Sequence, residues 1–219
     1  AVIFVITAIL IYLIVRDSPN PQAAKDKQAS GSREIWTNFK IIFKNPQTTL
    51  NALFAGLIFA PTAVLGEFWG VSYLQFGRGF EYHAASFAMG CIFIGWIVGG
   101  PLAGWLSDRI GRRKPLMLLS AISGFVIISI ILFVPEISTM QIYILMFIHG
   151  LTNIGVSIAY AVSTEINPKR TIGITIAFTN MASIMIGALM QPVVGKLLDL
   201  SIVTDGPREI SIFTLSNFQ

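Results

Sequence analysis

The sequence predicts an all-α polytopic membrane protein, and three observations carry that prediction. Residues 84–107 and 115–135 are uncharged runs of about 20 or more residues, the length a helix needs to cross about 30 Å of hydrocarbon. Between them, Gly104-Trp105-Leu106-Ser107-Asp108-Arg109-Ile110-Gly111-Arg112-Arg113-Lys114-Pro115 crowds four cations and one carboxylate into a turn. The whole chain of 219 residues is 54% hydrophobic and only 12% charged, where soluble domains carry about 25% charged residues. Charges are thus confined between spans instead of spread over helix faces.

Composition also excludes function classes. The net charge of +4 would suit nucleic acid, but the cations sit in short loops on one side, where membrane topology accounts for them, so no nucleic-acid partner is expected. The single cysteine, Cys91, lies in an apolar run, so neither a disulfide framework nor a cysteine metal site is expected. No Gly-x4-Gly-Lys-Ser/Thr loop is present, which excludes nucleotide hydrolysis of that type. Nothing resembles a catalytic triad or a metal-ligand cluster, so no enzyme activity, no metal and no cofactor are expected.

Taken in order, residues 1–15 are apolar without an initiator Met or a basic leader, which predicts the end of a span and not a signal peptide. Residues 16–44 are polar, with Ser18-Pro19-Asn20-Pro21 punctuation. Within them Ile35, Trp36, Phe39, Ile42 and Phe43 recur at helical spacing among Arg33, Lys40 and Lys44, the pattern of an amphipathic helix on the membrane surface, with a plain solvated linker as the alternative. Asn45-Pro46 is a cap with a first-turn proline, opening a helix to about residue 75 that Pro61 bends. In helix 84–107, Gly95, Gly99, Gly100 and Gly104 allow close helix approach. Ser138 caps a helix over 139–164, Asn167-Pro168-Lys169-Arg170 breaks the chain, and a further helix covers 171–195. After a polar loop, residues 210–219 are too short to cross, so the chain is expected to be a fragment cut inside its first and last helices.

Lysine and arginine set the orientation. Six precede residue 45, four lie in 108–114 and two in 165–170, against Arg78, Lys196 and Arg208 in the alternate loops. Twelve against three puts the first group on the cytoplasmic side.

Gly104-x-x-x-Asp108-Arg109-x-Gly111-Arg112-Arg113-Lys114 resembles the loop motif of the major facilitator superfamily, which carries it between helices 2 and 3 and often repeats it between helices 8 and 9. Val15-Arg16-Asp17-Ser18-Pro19 is similar to the end of helix 6 in bacterial members. The resemblance implies the C-terminal six-helix bundle of that transporter fold, truncated at both ends. Residues 1–15 then end helix 6, and 16–45 form the cytoplasmic central loop with its amphipathic helix. The bundle takes 46–219, with helices near 46–75, 84–107, 115–134, 139–164 and 171–195 and the last starting at 209–219. It further implies a multi-pass protein of a bacterial cytoplasmic (inner) membrane, with three partners: the lipid bilayer, the N-terminal half of the same transporter and a small-molecule substrate.

In the motif, Gly104 and Gly111 suit close approach and a tight turn, Asp108 suits the positive end of a helix, and the arginines can reach carboxylates. Glu165 is expected to pair with Arg109 or Arg112 as a latch on the cytoplasmic side, so Gly104, Asp108, Arg109, Gly111, Arg112, Arg113 and Glu165 form the predicted gate. The alternative is cations that set topology and bind lipid headgroups.

Glu67 is the one acid well inside a span, about 30 Å along from Pro46, and is a candidate proton carrier or substrate contact. Its alternatives are an external gate or simple proximity to water. Trp69 and Tyr73 suit a cavity wall or an interfacial belt. His149, Asn153, Ser157 and Tyr160 form one polar face, and Asn180, Ser183, Gly187 and Gln191 a second. His149 and Asn180 fall about 15 Å from their helix ends, near the midplane where transporters bind substrate. Interhelical hydrogen bonding is the plainer reading for the Asn and Ser residues; a mid-membrane imidazole can also carry a proton. The expected substrate or proton path is therefore Glu67, Trp69, Tyr73, His149, Asn153, Asn180 and Gln191.

The expected function is secondary active transport of a small solute by alternating access, coupled to the proton gradient as energy source, as a symporter or antiporter. The alternative is a non-transporting membrane receptor or accessory subunit on the same scaffold.

Overall fold

The computed structural model describes residues 2–14 and 32–201, and among them no strand occurs. Two compact units divide the chain, Ala1–Ile41 and Ile42–Gln219. In the first, the apolar helix Val2–Ile14 has 13 residues, a rise of about 20 Å and so less than the hydrocarbon thickness. The helix Ser32–Lys44 carries the aromatic pair Trp36 and Phe39, with ring centroids 6.3 Å apart. The Val15 to Pro19 stretch, most of the loop expected over 16–45, and the last helix expected from 209 lie outside the described residues.

Among the described residues, five helices are long and apolar enough to cross a membrane. They are span 1, Pro46–Gly77; span 2, Tyr82–Ile110; span 3, Lys114–Phe133; span 4, Thr139–Glu165; and span 5, Lys169–Leu197. Local chemistry sets their ends. Asn45 accepts the Gln47 amide at 3.1 Å, and Pro46 fills the first turn, where an amide would have no helical partner. Gly111 closes span 2 at φ 66°, its amide on Ser107 O, in the left-handed region that suits a residue without Cβ. Ser138 and Gln141 open span 4 with a reciprocal capping box, Gln141 Oε1 accepting the Ser138 amide at 2.8 Å. Arg78 closes span 3 from outside it: its guanidinium donates to the carbonyls of Ile131, Leu132 and Pro135, the negative end of that helix.

Span 4 is the hub. Half of its central window is buried, against 22% for span 3, and it packs on each of the other four spans. Small residues make those contacts close. A Cβ on Gly150 would collide with the Ile92 carbonyl of span 2, and one on Gly95 with the Phe147 carbonyl of span 4. A Cβ added to Gly99 would meet Leu151 O at 2.7 Å, whereas one on Gly100 or Gly104 would meet nothing within 4 Å. Span 5 lies on span 1 through Gly187, where an added Cβ would meet Ala63 at 2.7 Å. Its buried Thr171, Thr175, Thr179 and Ser183 turn their hydroxyls back onto carbonyls three or four residues earlier, that of Thr171 onto Pro168 O just ahead of the span, so the face they share presents mostly carbon.

Two spans depart from the continuous α-helices expected over 46–75 and 139–164. Pro61 brings no amide to span 1, and the Thr62 amide bonds Phe59 O. From there Thr62–Trp69 and Tyr73–Gly77 are π-helical, with the Gly70 amide reaching Leu65 O five residues back. Span 4 is helical over Thr139–Thr152 and again over Gly155–Glu165, broken between. Ser120 of span 3 mends the break: its hydroxyl donates to Thr152 O at 2.6 Å and accepts the Gly155 amide at 3.0 Å. Such repairs are what a broken helix requires where no water is available.

The glycine contacts make a direct prediction. Gly150→Leu sets a side chain against the Ile92 backbone, which cannot yield as a side chain would, and is expected to cost about 3 kcal/mol of stability. Gly90→Ala, where a Cβ meets nothing within 4 Å, is expected to leave the thermal midpoint in detergent unchanged.

Candidate functional site

Spans 1, 2, 4 and 5 line a half-open cavity of about 550 Å³ to which span 3 contributes no side chain. Phe59, Trp96, Ile154 and Ile184 supply apolar wall; Glu67, Asn153, Ser157, Tyr160, Asn180 and Gln191 supply polar groups. Phe59 and Trp96 pack with ring centroids 5.9 Å apart. Tyr160 donates its hydroxyl to Asn180 Oδ1 at 2.7 Å, joining spans 4 and 5 across the wall. Gln191 donates to Ala63 O at 3.3 Å. Two buried atoms of the lining, the Trp96 indole N–H and Asn153 Oδ1, have no partner among the described residues. Leaving such groups unpaired is costly unless a ligand or water meets them. Glu67 is exposed to the cavity, and among the described residues no cation pairs with it.

The residues expected in one path are divided by the structure. Glu67, Asn153, Asn180 and Gln191 line the cavity. Trp69 turns to span 5, its indole donating to Gln191 O at 3.2 Å and its ring against Gly195. Tyr73 is fully buried in the core; its hydroxyl donates to Ile131 O at 2.7 Å and accepts from Arg78 Nε at 2.7 Å. Tyr73 is thus an anchor for span 3 and not a cavity wall, because the π-helical turns break the common face that an α-helix would give Trp69 and Tyr73. His149 is also buried, with Nε2 3.2 Å from the Thr62 hydroxyl, and it lines a second cavity of about 370 Å³ between spans 1, 3 and 4. Asn153 sits between the two cavities and borders both. Phe59 and Trp96 were not singled out from sequence. Trp96 lies one residue after Gly95 and four before Gly100, a spacing that could have found it.

The motif forms an ion cluster. Arg113 Nη2 and Nε lie 2.8 and 3.1 Å from Glu165 Oε1, and Nη1 lies 3.0 Å from Asp108 Oδ1 and also bonds the Ser107 hydroxyl. Glu165 is therefore held by Arg113, and not by Arg109 or Arg112 as expected. Arg109 stacks over the Trp105 ring instead, 5.2 Å from its centroid, and Arg112 is exposed. Gly111 aims the chain: its left-handed turn brings Arg113 back over the end of span 2. The Glu165 hydrogen bond first, then that of Asp108, holds the Arg113 guanidinium above its ordinary pKa, so it is charged at every working pH. Nearby, Asn45 donates to Ile166 O at 2.9 Å and Thr48 to Asn167 at 2.9 Å, so the start of span 1, the motif turn and the end of span 4 share one end of the bundle.

The sequence profile of the Major Facilitator Superfamily matches residues 1–192. The chain belongs to that family. No curated protein gives a match to it. Family members are transporters and not enzymes, so membership makes this facilitator chain part of a transporter of small solutes and an integral multi-pass membrane protein.

The exposure of the ion cluster bounds its strength. Side chains of Arg113, Asp108 and Glu165 retain 26%, 75% and 48% of their accessible surface, so water screens them. A double-mutant cycle of Arg113→Gln and Glu165→Gln is expected to give a coupling of about 0.5 to 1 kcal/mol at low salt, declining at high salt.

Proposed function

We propose that this chain is the C-terminal half of a bacterial secondary transporter, its spans 1 to 5 being helices 7 to 11, which carries a small solute by alternating access. The observation that carries the reading is the 550 Å³ cavity: four spans wall it, and Glu67, Ser157, Tyr160, Asn180 and Gln191 bring polar side chains to it from spans 1, 4 and 5. The N-terminal half of the same transporter would complete the wall, and rocking of the two halves would open the cavity to each side in turn.

Proton coupling rests on Glu67. A carboxylate in a span is costly, about 3 kcal/mol at the membrane centre, and is kept where it faces a cavity or a proton path. Glu67 faces the cavity without a neutralising cation among the described residues, so it can take up a proton on one side and release it on the other. The Asp108–Arg113–Glu165 cluster would act as a cytoplasmic latch between span 2 and span 4, weak enough to open in each cycle.

The test is made on the full-length transporter in proteoliposomes. Solutes are first screened for thermal stabilisation, and uptake of each hit is then followed with and without a pH gradient. Accumulation above equilibrium is expected with the gradient and is expected to vanish in Glu67→Gln. In Asn180→Ala, KM is expected to rise about tenfold, the loss of one good hydrogen bond. Uphill accumulation that persists undiminished after the gradient is collapsed would overturn proton coupling.

A further inference from the structure

The basic turn after span 2 holds cations that the latch does not use. Arg113 takes Asp108 at 3.0 Å and Glu165 at 2.8 Å. Among the described residues no carboxylate pairs with Arg109, Arg112 or Lys114. Arg109 differs from the other two in being placed by an aromatic partner. Its Cζ lies 5.2 Å from the centroid of the Trp105 ring, one turn earlier on span 2. A cation–π contact draws on the charge of the guanidinium and leaves its N–H donors available to an oxygen acceptor.

The direction of this pair around span 2 decides what it can meet. At about 100° per residue, Trp105 lies about 140° round the helix from Gly100, which lines the solute cavity. Trp105 instead continues a stripe of exposed apolar side chains, Ile94, Val98 and Leu102, at helical spacing. It is itself 58% exposed, and exposed Arg109 ends the stripe. Depth agrees with direction. Span 2 has 29 residues and rises about 43 Å, about 13 Å more than the hydrocarbon thickness. Its last turn therefore stands at headgroup level, with Trp105 at the boundary where indoles are favoured. From the hydrocarbon outward the stripe is apolar, then aromatic, then cationic, the order that complements the acyl chain, glycerol region and phosphate of a phospholipid. Asp108 sits about 100° from Arg109 around the helix, and Arg113 meets its charge. Exposed Arg112 and Lys114 in the adjoining turn would repel the ammonium of a zwitterionic headgroup, which favours a lipid of net negative charge. We propose that Trp105 and Arg109 form a binding site for an anionic phospholipid. Its phosphate lies on the Arg109 guanidinium, and an acyl chain runs along Trp105, Leu102 and Val98.

The test uses the full-length transporter in phosphatidylcholine nanodiscs with a trace of photoreactive lipid, its diazirine on an acyl chain. Two probes with identical chains are compared, a phosphatidylglycerol and a phosphatidylcholine, and labelled residues are mapped by mass spectrometry. The phosphatidylglycerol probe is expected to label residues 94–105 about fivefold more than the phosphatidylcholine probe, the scale of one arginine at an anionic surface. Arg109→Gln is expected to bring the two probes level, whereas Arg112→Gln keeps the preference to within about twofold. Both side chains are exposed, so each variant is expected to keep the melting temperature of the unaltered protein. Trp105→Leu keeps the apolar stripe but removes the ring, and is expected to lower the preference about twofold. Equal labelling by the two probes in the unaltered transporter overturns the site. So does a preference that survives Arg109→Gln, or one that Arg112→Gln removes as fully, the mark of a diffuse basic field. Labelling is read whether or not a solute moves, so its failure leaves the transport reading standing.

Discussion

No water reaches the hydrocarbon to satisfy a stray amide or carbonyl, and two of the five spans contain breaks in their own hydrogen bonding. Span 1 loses a donor at Pro61, and the shift of the Thr62 amide to Phe59 O frees Ile58 O. Span 4 is interrupted between Thr152 and Gly155. The two helices touch at those points, and neighbouring spans repair both breaks. Asn153, in the break of span 4, caps the freed Ile58 carbonyl, and Ser120 of span 3 closes the break itself. The arrangement explains why polar residues concentrate on the span 1–span 4 contact, where Asn51 also donates to Ala159 O at 2.8 Å.

These bonds set register more than they add stability. Interhelical hydrogen bonds in membranes average about 0.6 kcal/mol each, since the separated helices also find partners. Close packing at Gly150, Gly95 and Gly187 supplies van der Waals contact over the length of the spans, while the Asn and Thr groups choose which residues meet. The cavity follows from that division. Spans held together by small residues at some levels leave room beside Phe59, Trp96 and Ile184, and peripheral span 3 stays outside it.

The spans, their order and the motif were legible in the sequence because length and charge placement report directly on a bilayer. Asn45-Pro46, Ser138 and Gly111 announced helix ends through their capping chemistry, and Pro61 announced a disturbance. What could not be read was the phase of the helices beyond each break. Grouping Trp69 with Tyr73 assumed 3.6 residues per turn, but the π-helical turns of span 1 send one side chain to span 5 and the other to span 3. Asn153-Ile154-Gly155 carries no proline to mark its break, and His149 shares a nominal face with Asn153 that the fold divides between two cavities. Arg113 was one of four clustered cations; only the left-handed turn at Gly111 makes it, and not Arg109 or Arg112, the partner of Glu165.

The central claim is that spans 1, 2, 4 and 5 wall a water-accessible solute cavity while span 3 faces away from it. The most direct measurement is the reaction of single cysteines with a charged, water-soluble thiosulfonate reagent in the full-length transporter, on a Cys91→Ala background. The account predicts modification of Ser157→Cys and Asn180→Cys, which line the cavity, and none of Val126→Cys on span 3. Inert cysteines at 157 and 180, or equal reaction at 126, would contradict it.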